Sequence, residues 1–251
     1  MLNNQTIQVL REMHLPGMAE AYSHQLQNLT MAELSFEERF GMVVDYEWTA
    51  RQNHKLARLL RDAHLKVRAT PEDIDYHQAR GIDQSLLRSL TMGKWISEHH
   101  NLTIAGPTGV GKTFIACALA TAACRLGFRA QYHRMSRLLQ DIVIAKADGS
   151  YPKLFRQLSK VDLLILDDWG LAPMSAPESR DLLDVIDDRC ASSTCIISQI
   201  PIELWHQQFA DATVADAVLD RIVNNAYRLE LHGESMRKLT STLPNNKGSG
   251  K

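Results

Sequence analysis

The sequence predicts an α/β domain, a parallel sheet flanked by helices, preceded by a small all-helical N-terminal region. Three observations carry this. From Asn101 onward, short apolar runs alternate with helical stretches, the rhythm of parallel strands joined by crossover helices. The central runs are almost continuously aliphatic, as strands covered on both faces are. Before Asn101 the pattern is helical.

The elements follow in order. Leu34 to His64 is long, proline-free and rich in helix formers, and Ser35 with Glu38 forms a capping box at its start. Thr70-Pro71, followed by Glu72 and Asp73, is a helix-start signal suited to the positive end of a helix dipole. An amphipathic helix is expected from Asp83 to Glu98, with Leu86, Leu87, Leu90 and Trp95 near one face. Leu102 to Ala105 is a strand that ends in a Gly-rich loop, and a helix runs from Lys112 to Leu126 and stops at Gly127. Strands are expected at Arg129–Arg134, Val161–Leu166, Thr194–Ile197 and Tyr227–Leu231. Helices are expected at Ser136–Lys146, Tyr151–Ser159, Pro177–Cys190, Pro201–Phe209 and Thr213–Asn225. The domains expected are a helical one over 1–68, an α/β one over 69–243 and a tail over 244–251.

Composition narrows the class. The 251 residues are 45% hydrophobic and 23% charged, ordinary for a folded soluble chain. The net charge of −1 excludes a histone-like polycation, though not a local basic patch. There is no apolar window of about 18 residues and no secretory pattern at the start, so the expected location is cytoplasmic, away from membranes. Cys117, Cys124, Cys190 and Cys195 show no metal-ligand spacing and are expected to be reduced and mostly buried.

The chemistry is concentrated in two motifs. Gly106, Pro107, Thr108, Gly109, Val110, Gly111, Lys112 and Thr113 fit the P-loop pattern between a strand and a helix. Glycines let the backbone curl so that its N–H groups meet phosphate oxygens, and the next helix turns its positive end to the same anion. Lys112 then reaches the β- and γ-phosphates of ATP, and the Thr113 hydroxyl is a ligand for Mg²⁺. The second motif is Leu163-Leu-Ile-Leu-Asp167-Asp168, an aliphatic strand ending in acid. Asp167 is placed to orient Mg²⁺ through its waters, and Asp168 to polarise a water attacking the γ-phosphate. A third strand ends in Ser198-Gln199, where either polar side chain could contact the γ-phosphate. On local residues alone, Arg221 reads as a surface ion pair with Asp216 or Asp220.

A basic stripe, Arg51, Lys55, Arg58 and Arg61, recurs at spacings of four, three and three on one helical face. It fits phosphate-backbone contact to double-stranded DNA as well as it fits a solvated face paired with Glu47 and Asp62.

The strings G-P-T-G-V-G-K-T, L-L-I-L-D-D, I-I-S-Q-I-P-I-E-L-W-H, A-V-L-D-R-I-V-N-N-A and G-E-S-M-R-K together resemble IstB-like proteins, the helper ATPases of bacterial insertion-sequence transposition. That family belongs to the AAA+ superfamily, close to DnaC-type helicase loaders and DnaA. The resemblance implies a DNA-dependent ATPase that forms a homo-oligomer on DNA with ATP and serves a transposase. It implies that Ser198-Gln199 is a sensor-1 region, that Arg221 is an arginine finger, and that Arg237 is a sensor-2-type arginine. Many AAA+ proteins carry Asp-Glu where this chain has Asp167-Asp168, and the shorter acid is expected to slow hydrolysis, which suits a switch better than a motor. The alternative is a DnaC-like loader whose N-terminal helices grip a replicative helicase. A small-molecule kinase would leave the basic helix without a use.

Overall fold

The structure is a computed structural model, and it describes residues 2–77 and 80–236. Contacts divide the chain into two units, one ending at Arg58 and one beginning at Leu59.

The first unit holds α1 (Leu2–Glu12), α2 (Pro16–Gln27), a 3-10 turn (Leu29–Glu33) and most of α3 (Phe36–Asp62). The expected capping box starts α3: Ser35 Oγ accepts from Glu38 N at 3.2 Å, and Glu38 Oε2 accepts from Ser35 N at 2.9 Å. Buried Glu47 accepts from Met18 N at 3.0 Å, which places a carboxylate at the positive end of α2. Gly17 permits this approach, because a Cβ there would lie 2.9 Å from Glu47 Oε2. Phe36, Phe40 and Trp48 of α3 remain exposed.

The second unit begins in the last turn of α3. Leu59 and Ala63 are buried, and Ala63 O accepts from Tyr132 N at 2.9 Å. That bond ties the chain after α3 to the sheet unit, so the contacts divide earlier than the boundary expected at residue 68. The expected tail, 244–251, lies outside the described residues.

After a 3-10 turn (Pro71–Asp73) come α4 (Gln84–Thr91) and α5 (Lys94–Ser97). The single helix expected over Asp83–Glu98 is thus two. Gly93 breaks it with φ 72°, a left-handed turn that favours glycine. The α/β elements are β1 (Asn101–Ala105), α6 (Lys112–Arg125), β2 (Ala130–Arg134), α7 (Met135–Asp148), α8 (Tyr151–Ser159) and β3 (Leu163–Trp169). Then follow α9 (Ala176–Asp187), β4 (Ser193–Ser198), α10 (Ala212–Val223) and β5 (Ala226–Glu230). The helix expected over Pro201–Phe209 is two 3-10 turns, Ile202–Leu204 and His206–Gln208. Fully buried Trp205 anchors this segment against Trp169, with ring centroids 5.3 Å apart.

All pairings in the five-stranded sheet are parallel, in the order β2-β3-β4-β1-β5. Leu164, Leu166 and Ile196 share a core with α7, α9 and α10. Leu163 and Ile165, one step out of phase, point to the other face, where α6 crosses the strands. Cys117, Cys124 and Cys195 are buried and Cys190 is exposed. Among the described residues, no helix is long and apolar enough to cross a membrane. The strand order sets the carboxyl ends of β3, β4 and β1 side by side, where an open α/β sheet binds its ligands.

Candidate functional site

The loop after β1 curls through three glycines in the left-handed region, Gly106 (φ 145°), Gly109 (φ 88°) and Gly111 (φ 101°). The chain after β5 clamps it. Leu231 N donates to Ala105 O at 2.8 Å, and Met236 N donates to Gly109 O at 2.9 Å. A Cβ on Gly106 would lie 2.2 Å from Leu231 O, so glycine is required there on two counts. Gly111 caps α6 without a side chain, which leaves the first amides of α6 directed at an incoming anion. Lys112 is buried, and its Nζ donates to Gly106 O at 2.6 Å and Pro107 O at 2.8 Å. Its ammonium therefore sits inside the curl.

Asp167 is 2% exposed and lies at the centre of a hydrogen-bonded group. Its Oδ2 accepts from Thr113 Oγ1 at 2.9 Å, Tyr132 OH at 2.6 Å and Lys66 Nζ at 3.2 Å. Its Oδ1 accepts from Asp168 N at 2.8 Å. Burial, with the neighbouring Asp167 carboxylate, pushes the Tyr132 phenol well above its ordinary value, so it stays a protonated donor. Asp168 has φ 64° at a register shift between Leu166 and Trp169, and β3 runs through both aspartates rather than stopping before them. Arg134 Nε lies 3.8 Å from Asp168 Oδ2.

Of the two polar residues ending β4, only Gln199 meets the loop. Thr108 Oγ1 donates to Gln199 Oε1 at 2.6 Å. Ser198 is fully buried, and its Oγ donates to Trp169 O at 3.0 Å and accepts from Ile200 N at 3.1 Å.

Lys66, Thr108, Gly109, Gly111, Lys112, Thr113, Asp167, Asp168 and Gln199 line a cavity of about 440 Å³ together with Val67, Asp73, Asp75, Arg80, Phe114 and Met236. Its size suits a small-molecule ligand such as a nucleotide. Buried Arg80 braces the loop, donating from Nη1 to Val110 O at 3.1 Å and from Nη2 to Asp75 O.

Hard oxygen donors from Thr113 and Asp167 meet at the cavity wall beneath the anion cradle, a set that fits Mg²⁺ completed by phosphate and water. No group of three or more His, Cys, Asp or Glu that could hold a metal occurs among the described residues.

Arg221 does not line the cavity. It pairs with Asp187, rather than with Asp216 or Asp220, and its Nη1 donates to Ala217 O at 2.7 Å. Arg237 lies outside the described residues. In the basic stripe, Arg51 Nε pairs with Glu47 at 2.6 Å, its Nη2 donates to His14 O at 2.8 Å, and Arg61 pairs with Asp62 at 3.1 Å. Lys55 and Arg58 are exposed. The partners weighed for the stripe, Glu47 and Asp62, thus each hold one of its arginines.

The structure adds Lys66, Tyr132, Arg134 and Arg80 to the residues that the sequence places at the nucleotide site. The pairing of β2 beside β3 places Tyr132 opposite Ile165 and Arg134 opposite Asp167, a neighbourhood that only the sheet order reveals. Lys66 and Arg80 carry no motif at all.

The model of the IstB-like ATP binding protein family matches residues 8–243. The chain belongs to this IstB-like family. Among the relatives of this IstB-like chain, insertion sequence ATP-binding protein y4pL of Sinorhizobium fredii is 45% identical over 239 residues, covering 95% of this chain and 98% of the relative. The insertion sequence IS1162 ATP-binding protein of Pseudomonas fluorescens is 46% identical over 203 residues, 80% and 88% of the two chains. Among solved structures, DnaI superposes with TM-score 0.57 at 19% identity, over 70% of this chain and 93% of that one. AMPPCP-bound DnaA from Aquifex aeolicus gives TM-score 0.57 at 17% identity, over 69% and 53%. At such identities the structural likeness speaks for the fold alone, and that fold is the α/β P-loop architecture, a parallel sheet flanked by helices, that the sequence predicts.

Proposed function

We propose that this IstB-like chain is a magnesium-dependent ATPase that oligomerises on double-stranded DNA with ATP and acts as the helper of a transposase in insertion-sequence transposition. The observation that carries the ATPase part is the Thr113–Asp167 hydrogen bond at the mouth of a glycine cradle that already encloses the Lys112 ammonium. The names of the relatives, insertion sequence ATP-binding proteins, support the biological setting.

In this reading the backbone N–H groups of 108–111 and Lys112 bind the β- and γ-phosphates, and Thr113 and Asp167 would hold Mg²⁺. The metal supplies charge neutralisation on the phosphates. Asp168 accepts a hydrogen bond from the attacking water and orients it in line. Gln199 reports on the γ-phosphate through its bond to Thr108 Oγ1. Arg221, on a helix outside its own cavity, enters a neighbouring protomer's site as an arginine finger, and Arg237 adds a phosphate contact. Residues 1–68 serve assembly and DNA contact, with Arg51, Lys55, Arg58 and Arg61 meeting the phosphate backbone, and 69–243 form the ATPase domain. The exposed aromatic residues of α3 support an assembly role.

The test is ATPase rate with and without duplex DNA, alongside particle size by light scattering. Stimulated turnover and growth of the particle are expected. An indifferent rate and size would remove DNA from the function. Retention of a hexameric helicase rather than a transposase in a pull-down would favour a loader.

A further inference from the structure

Asp167 is almost wholly buried, and an ionised carboxylate in such a place needs a cation or several donors. The cation paired with it is Lys66, 3.2 Å from Oδ2. Oδ2 is also the oxygen that accepts from Thr113 Oγ1. A lysine ammonium and a magnesium ion drawn to the same Asp167 carboxylate oxygen would repel one another. The two are alternatives. Lys66 is built to leave. It lies outside helix and strand, just after His64 takes φ 49° past the end of α3. Its side chain is 27% exposed and lines the cavity. A four-carbon stem can carry the ammonium out to water without moving the backbone. Tyr132 and Thr113 donate to Asp167 from the sheet and from α6, so they stay when Lys66 goes.

We propose that Lys66 is the exchangeable counter-cation of Asp167, displaced when the magnesium–nucleotide complex binds. It is a positioning residue, and it makes the site disfavour free metal and accept metal and triphosphate together. This rests on the reading of Thr113 and Asp167 as the magnesium site.

The experiment uses the full chain and a fluorescent non-hydrolysable ATP analogue. Mg²⁺ is titrated at fixed protein and analogue, and the midpoint for tightened binding is compared between the wild type and Lys66→Met. With its competitor removed, Mg²⁺ should act at a concentration lower by on the order of tenfold in the variant. A second arm needs no variant. Acetylation of Lys66, followed by mass spectrometry, should be slow in nucleotide-free wild type and several-fold faster with Mg²⁺ and the analogue. An unmoved Mg²⁺ midpoint, or a lysine no more reactive in the complex, overturns the exchange. A weakened affinity for the magnesium complex in Lys66→Met also overturns it, since Lys66 would then be a fixed phosphate ligand. If the variant does not fold, the labelling arm decides alone. Absence of analogue binding by the wild type overturns the ATP reading itself, and the exchange with it. Binding with an unmoved midpoint overturns the exchange only.

Discussion

Thr113 Oγ1 donates to Asp167 Oδ2 at 2.9 Å, across 54 residues of sequence. The bond joins the first turn of α6 to the end of β3, so the helix after the glycine loop and the strand that supplies acid are held in one geometry before any ligand binds. Preorganisation of this kind lowers the cost of assembling a metal site. Thr113→Val removes the hydroxyl and little else. Tyr132 and Lys66 still satisfy Asp167, so the fold should persist. The expected outcome is nucleotide affinity that no longer tightens when Mg²⁺ is added, a loss on the order of tenfold or more. Titration of an ATP analogue with and without EDTA measures it, and an unchanged Mg²⁺ response would remove Thr113 from the metal site.

Asp168 occupies the left-handed region, where Asp and Asn are tolerated far better than longer side chains. This gives a physical reason for an aspartate, rather than a longer acid, at this position. Asp168→Asn keeps the backbone and removes the carboxylate. It should bind ATP normally and hydrolyse it slower by about 100-fold or more. Asp168→Glu should lose stability, by about 1 kcal/mol, because the longer acid must take the same φ. Single-turnover kinetics and chemical denaturation check the two arms. An active Asp168→Asn would transfer the water-orienting role elsewhere.

Much of this site was legible because its chemistry is written in contiguous strings. The P-loop, the Asp167-Asp168 pair and the strand–helix alternation depend on local spacing, and the parallel sheet follows that reading. The breaks were less legible. Gly93 sits inside an amphipathic pattern that continues on either side of it, and its left-handed φ of 72° and tight fit against Leu126 and Phe128 become visible only in three dimensions. Ser198 and Gln199 are equivalent as letters, and the end of β4 separates them: Ser198 is its last, buried residue, and Gln199 is exposed just past it. Lys66 and Arg80 reach the cavity from a segment without regular structure, and no periodicity announces where such a side chain ends.

Arg221 pairs with Asp187 on α9 and stays out of its own cavity. A finger acting on a neighbour predicts a specific complementation. Arg221→Ala should bind ATP like the wild type yet fail to hydrolyse it. Lys112→Ala should not bind. Mixing the two should restore part of the turnover, because the intact site of one would meet the intact Arg221 of the other. A mixture as inactive as its components would confine Arg221 to its ion pair.

His133 on β2 has its Nε2 buried without a hydrogen-bond partner among the described residues. Burial holds its pKa below the ordinary 6.5, opposed by Asp141 and assisted by His64. The folded state therefore keeps this ring neutral while the unfolded chain protonates it near its ordinary value. Its contribution to stability is complete above pH 6.5 and is lost as pH falls from there through the lower folded value. Denaturation of wild type and His133→Gln at stepped pH isolates this one histidine from the rest. The wild type should lose more stability than the variant between pH 6.5 and 5, and parallel profiles would contradict the assignment.

Gly106 joins the clamp to the cradle. At φ 145°, with a hypothetical Cβ 2.2 Å from Leu231 O, it has neither backbone nor space for a side chain. Leu231 cannot simply yield, because its own N–H is bonded to Ala105 O at 2.8 Å. Gly106→Ala must therefore either push the loop off its curl or part the chain after β5 from β1. Both moves open the ring of amides, and both cost packing. The variant should lose nucleotide binding and about 2 kcal/mol of stability together. Gly149→Ala is the control. Its φ of 79° is also left-handed, but a Cβ there meets nothing within 4 Å, so it should lose roughly 1 kcal/mol and keep full nucleotide affinity. Equal nucleotide affinity in the two variants would show that the curl at Gly106 is not what holds the phosphates.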